Sequence, residues 1–157
     1  MTMDLVLWRH AEAEAGEPDQ GRKLTSKGQK QARRVAEWLH NRLPDTARIH
    51  SSPARQAQQT AQALAETSRR KFKTLDVLGP STSADEVLRA IGATVGKGTL
   101  VLVGHQPTLG RIASRLITGS ESDWPIKKGG VVWISHHEPD GDTSCPMLRA
   151  AISPDLA

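Results

Sequence analysis

Apolar residues fall along this chain in six short runs, separated by stretches in which they recur every three or four positions. Residues 3–8, 47–50, 74–78, 99–103, 130–135 and, more weakly, 147–152 read as strands, and the unbroken Leu100-Val101-Leu102-Val103 predicts burial on both faces of a sheet. Helical spacing links Ala32, Val35, Ala36, Leu39 and Leu43, then Ala57, Ala61 and Leu64. It returns in Val87, Leu88, Ile91 and Val95, and again in Leu109, Ile112, Ala113 and Leu116. Strand therefore alternates with helix through residue 117. That order predicts an α/β fold with three layers: a mostly parallel central sheet, helices on both faces, and the last two strands added as a hairpin or edge.

Local signals sharpen the boundaries. Thr25 or Ser26 can cap a helix, while Ser52-Pro53 and Gln106-Pro107-Thr108 set proline near a first helical turn. Residues 12–21 and 138–146 are rich in glycine, proline and acids and are expected to be the least ordered, the first hanging over the site described below. There is no internal repeat. A chain of 157 residues fits one domain spanning residues 1–157, expected as a monomer.

Composition narrows the setting. No stretch has the apolar length of a membrane span, and Met1 to Trp8 lacks a basic leader and cleavage-like segment, so a soluble, cytoplasmic protein with no membrane partner is expected. The only cysteine, Cys145, can form neither an internal disulfide nor a multi-cysteine metal site. The net charge of +4 raises the question of nucleic acid, but the basic residues are scattered. Beside the dense run Arg69-Arg70-Lys71 stands one aromatic residue, Phe72, so no nucleic-acid partner is expected. The same field would draw in an anionic substrate.

Candidate chemistry comes from the loops that leave the carboxyl ends of the strands, where open parallel sheets bind ligands. The first strand ends in Trp8-Arg9-His10-Ala11, the second runs into Ser51-Ser52-Pro53-Ala54-Arg55, and the fourth ends in Gly104-His105-Gln106-Pro107. Two histidines and two arginines thus converge on one end of the sheet. Arginine donates paired hydrogen bonds to two oxygens of a phosphoryl group, and helix starts nearby add backbone N–H donors, so the pocket favours an anion. Arginine charge disfavours imidazolium and keeps a histidine nitrogen free to attack phosphorus, with no metal or other cofactor required. A zinc site built on His10 and His105 is the competing reading, but no third ligand stands at metal spacing. His40, His50, His136 and His137 read as structural or exposed.

The segment L-V-L-W-R-H-A-E-A at 5–13 resembles the Arg-His-Gly or Arg-His-Ala signature of the histidine phosphatase superfamily, the phosphoglycerate mutase-like family. L-T-S-K-G-Q-K-Q-A at 24–32, S-S-P-A-R-Q-A-Q-Q-T-A at 51–61 and V-G-H-Q-P-T-L at 103–109 are similar to its later motifs, in its order. The resemblance implies that His10 is the phosphorylated nucleophile, that Arg9 and Arg55 clamp the phosphate, and that His105 contacts the transferred group. It also implies a phosphate or substrate contact at Arg22, for which a solvated loop charge is the plain alternative. Short length and the R-H-A-E-A form point to the SixA-type branch, whose members act on phosphohistidine in signalling phosphotransfer proteins.

The expected partner is then a phosphorylated protein of the histidine phosphotransfer type, or a small phosphorylated substrate. The glutamate acid that many superfamily members carry after the Ser-Pro-x-x-Arg region has no recognisable counterpart, although Glu66 and Asp76 lie in that interval. Glu12, Glu14 and Asp19 are the other candidate donors. A labile P–N bond needs less acid help than an alkoxide leaving group, so the gap favours phosphoramidates. The alternatives are a general small-molecule phosphomonoesterase and a non-catalytic phosphate-recognising module.

Overall fold

A computed structural model describes residues 2–92, 98–137 and 145–157. Six strands, β1 (Thr2–Arg9), β2 (Arg48–Ser51), β3 (Lys73–Thr74), β4 (Gly98–Gly104), β5 (Val131–His137) and β6 (Cys145–Ile152), form one sheet in the order β3-β2-β4-β1-β5-β6. β3, β2, β4 and β1 run parallel, and β5 and β6 add antiparallel at one side. This is the predicted α/β arrangement with a mostly parallel central sheet. Four helices cover the sheet: α1 (Ser26–His40), α2 (Arg55–Ser68), α3 (Ala84–Gly92) and α4 (Thr108–Thr118).

The period-two alternation of each strand divides its side chains between two cores. Val6, Trp8, Val101 and Val103 pack with Val35 and Leu39 of α1 and Ala57, Ala61 and Leu64 of α2. Their neighbours Leu5, Leu7, Leu100 and Leu102 face Val87 and Ile91 of α3 and Leu109 and Ile112 of α4. β1 and β4 are adjacent and buried on both faces, which is why their runs carry no polar alternation. Their carboxyl ends place Arg9 and Gly104 in register, so His10 and His105 leave the sheet side by side.

Three expectations need adjustment. The run 74–78 is strand only at its start, because Asp76–Leu78 forms a 3-10 turn that drops Leu78 into the α3 and α4 core. Residues 12–21 are pinned rather than loose: Ala13 bridges Leu24, and the Glu14 N–H donates to the Lys23 carbonyl at 2.8 Å. Of the second expected loop, residues 138–144 lie outside the described residues, as does Val95, while Pro146 belongs to β6.

Candidate active site

The chain around His10 is held by side chains from the two helices that follow it. The His10 N–H donates to the Gly104 carbonyl and the His10 carbonyl accepts from Gly129 N–H, both at 3.0 Å. Next, Ala11 N–H donates to Thr60 Oγ1 at 3.0 Å and Glu12 N–H to Gln31 Oε1 at 3.0 Å, while Leu24 N–H donates to Gln59 Oε1 at 2.7 Å. Thr25 caps α1 by accepting from Gly28 N–H, and its hydroxyl donates to Glu12 Oε2 at 2.8 Å. Gly28 is required by proximity, since a Cβ there would sit 1.9 Å from the Glu12 carbonyl oxygen. The segments 24–32 and 51–61 thus clamp the backbone that presents His10, leaving few of its polar groups unpaired.

The two imidazoles meet edge to face, with ring centroids 5.1 Å apart. Both are buried, at 7% exposure for His10 and 6% for His105. His10 Nδ1 lies 2.8 Å from the Ala11 carbonyl oxygen, which can only accept, so Nδ1 carries the proton and the neutral ring keeps its lone pair on Nε2. Burial lowers the His10 pKa below the ordinary imidazole value; the Ala11 bond opposes this, while the Arg9 and Arg22 charges add to it. His105 is lowered to about 4, first by burial and then by the repulsion that two protonated rings, its own and that of His10, would feel. Its Nε2 is 2.8 Å from Ser52 Oγ, which also accepts from Ala54 N–H at 3.1 Å.

Guanidinium groups flank these rings. Arg9 Nη1 donates to the Ile126 carbonyl at 2.7 Å, and its Nε is buried with no protein partner. Arg22 pairs with Asp19 at 2.9 Å, and both charges bear on both imidazoles. Gln56 Nε2 fixes the turn beneath that pair by donating to the Asp19 carbonyl at 3.2 Å. Arg55 is exposed at the first residue of α2 and makes no side-chain hydrogen bond or ion pair among the described residues. It lines a cavity of about 270 Å³ with Arg22, Glu14 and Pro18. The structure therefore joins His10, His105, Arg9 and Arg22 closely, with Arg55 opening beside Arg22.

The candidate proton donors separate. Glu12 is bound by Thr25, Glu14 lies 3.9 Å from Lys23, and Glu66 accepts from Gln62. Asp76 begins the 3-10 turn after β3. Of these carboxylates, Asp19 is the one whose charge acts on His10 and His105. Sequence reasoning gave no role to Ser52, before α2, or to Thr60, Gln31, Gln56 and Gln59 on the helices, because polar side chains there read as solvated until their backbone partners are seen. Among the described residues, no group of three or more His, Cys, Asp or Glu side chains is arranged to hold a metal ion. His50 is buried with Nδ1 unpartnered, whereas His40 is exposed.

Residues 5–79 match the family model described as histidine phosphatase superfamily (branch 1). That match contains three of the four motifs, and the fourth, at 103–109, is the strand end that brings His105 against His10. The fold is shared with the protein histidine phosphatase SixA in complex with tungstate, at TM-score 0.82 and 21% identity, covering 98% of each chain. Mycobacterial glucosyl-3-phosphoglycerate phosphatase superposes with TM-score 0.72 and 18% identity, over 95% of this chain and 98% of that one. A mutant phosphoserine phosphatase from Entamoeba histolytica, in complex with phosphoserine, gives TM-score 0.69 and 17% identity over 97% of this chain and 98% of that one. Curated protein sequences give no significant match. These neighbours share the fold of this chain.

Proposed function

We propose that this chain is a single-domain phosphohistidine phosphatase that works through a phosphorylated His10. The observation carrying this reading is the uncharged, buried His10 ring, with Nδ1 committed to Ala11 and Nε2 free beside His105 and the Arg9 and Arg22 guanidiniums. In the first displacement Nε2 forms a bond to phosphorus as the P–N bond of the substrate breaks, and the departing imidazole takes up a proton. That proton comes from solvent, and Asp19, in its ion pair with Arg22, orients the guanidinium beside the reacting group. Water then attacks phosphorus, the bond to His10 breaks, and orthophosphate leaves.

Arg9, Arg22 and Arg55 supply the positive charge and His105 the hydrogen-bonding group for the equatorial oxygens, so no metal is needed. The buried Nε of Arg9, lacking a protein acceptor, is a donor suited to such an oxygen. On this reading the protein acts as a cytoplasmic monomer on signalling phosphotransfer proteins. A second reading, phosphomonoester hydrolysis on small molecules, draws on the fold shared with the glucosyl-3-phosphoglycerate and phosphoserine phosphatases. The test is turnover of a phosphohistidine peptide, a phosphoserine peptide and a sugar phosphate with chelator present. Marked preference for phosphohistidine is expected; comparable rates on all three would favour the second reading, and loss of activity with chelator would refute metal independence.

A further inference from the structure

Alongside Glu12, two residues beyond His10, and against α1 lies a cavity of about 490 Å³ whose cations are Lys27, Lys30, Arg34, Lys127 and Lys128. Its acids are Glu12 and Asp155. Glu12 is engaged by Thr25, and Asp155 is held below the ordinary carboxylate range, first by Ser153 and also by the charges of Lys127 and Arg34. Lys27, Lys30 and Lys128 have no ion pair among the described residues. Lys27 also stands in the first turn of α1, which contains no acid, where a cation opposes the helix dipole. Like charges gathered around one hollow repel each other, and an acidic partner would relieve that cost.

This cavity is coupled to the reaction centre through shared backbone. Ile126 accepts from Arg9, Gly129 donates to the His10 carbonyl, and between them stand Lys127 and Lys128. Glu12, in the wall, is two residues beyond His10. Gly129 makes that turn with φ of +74°, which favours glycine. Among the described residues, the walls contain no aromatic side chain on which nucleic-acid bases could stack, and the hollow is not the flat face that a lipid surface requires. Lysines interspersed with two carboxylates fit the side chains of an acidic protein segment.

We propose that this cavity docks an acidic segment of the phosphorylated protein, next to the phosphohistidine offered to His10. The proposal rests on the phosphohistidine reading, so its test needs a binding measurement as well as a rate. Two phosphohistidine peptides, flanked by glutamate or by glutamine, are compared on the full chain and on the K27Q/K30Q/K128Q variant. Binding of a fluorescent, unphosphorylated oligoglutamate peptide is followed by anisotropy. The unaltered chain should favour the glutamate-flanked peptide in kcat/KM by about tenfold at low salt, and high salt should close the gap.

The triple variant should lose both that preference and oligoglutamate binding while keeping its rate on the glutamine-flanked peptide, and K27R/K30R/K128R should retain them. Preference that survives in the glutamine variant, or none in the unaltered chain, overturns the docking site. Oligoglutamate binding that depends on these lysines, with neither peptide hydrolysed, upholds the acidic-segment site and refutes the phosphohistidine reading instead. A single-stranded oligonucleotide or phosphatidylserine vesicle that binds more tightly than oligoglutamate through the same lysines overturns the choice of partner.

Discussion

At the scale of single residues, the chemistry turns on which nitrogen of His10 is free. The Ala11 carbonyl holds the Nδ1 proton, and burial with the neighbouring arginines keeps the ring neutral, so Nε2 is nucleophilic without a separate base. Arg9→Ala removes a half-buried guanidinium and should lower kcat by about 100-fold or more, a cost of about 3 kcal/mol of transition-state stabilisation. A rise confined to KM would contradict that role. Asp19→Asn removes the carboxylate that orients Arg22. It should slow phosphoserine and phosphohistidine peptides alike by releasing Arg22 from its position; slowing confined to one of them would contradict that positioning role. The Arg22 and Asp19 pair was the hardest part of the site to read from sequence, because an i, i+3 pair in a polar loop looks the same whether it faces water or a reaction centre.

Among the elements, β1 and β4 carry the site, and both were readable because burial on two faces leaves an uninterrupted apolar run. Their neighbour after β2 was misread. Leu75, Val77 and Leu78 imitate a strand, yet the chain turns at Asp76–Leu78 to feed Leu78 into the opposite core before Gly79 and Pro80. The clamp on the His10 loop could be found as a motif but not understood, since its meaning lies in contacts between residues far apart in the chain, such as Ala11 with Thr60. Gly28 tests that clamp. Gly28→Ala would push α1 from the Glu12 carbonyl and should destabilise the protein by about 1–3 kcal/mol while lowering kcat. Unchanged melting temperature and rate would show that the close approach is unimportant.

Across the whole molecule, three buried histidines, His10, His50 and His105, have pKa values below the ordinary imidazole value. The unfolded chain, with imidazoles near 6.5, then takes up protons that the folded protein resists, so stability falls as pH drops below about 6.5. For His105, whose folded value is about 4, the loss at pH 5 is of the order of 2 kcal/mol, and it is complete only below pH 4. Urea denaturation at pH 7.5 and pH 5 should show this decrease, and His50→Asn should reduce it. A midpoint unchanged or raised at pH 5 would contradict the assignment of neutral buried rings. At this scale the net charge of +4 proves less evenly spread than the sequence suggested, because α1 and the loop before β5 gather lysines into one hollow. No helix among the described residues is long and apolar enough to cross a membrane.

The central claim is a covalent phosphoryl group on one atom. Rapid acid-free quenching of the enzyme with a phosphoramidate donor, followed by mapping of the phosphorylated residue and its ring isomer, tests it directly. Label on His10 at Nε2, absent from His10→Ala with the fold retained, is the predicted result; turnover with no labelled intermediate, or label on Nδ1 or another residue, would contradict it.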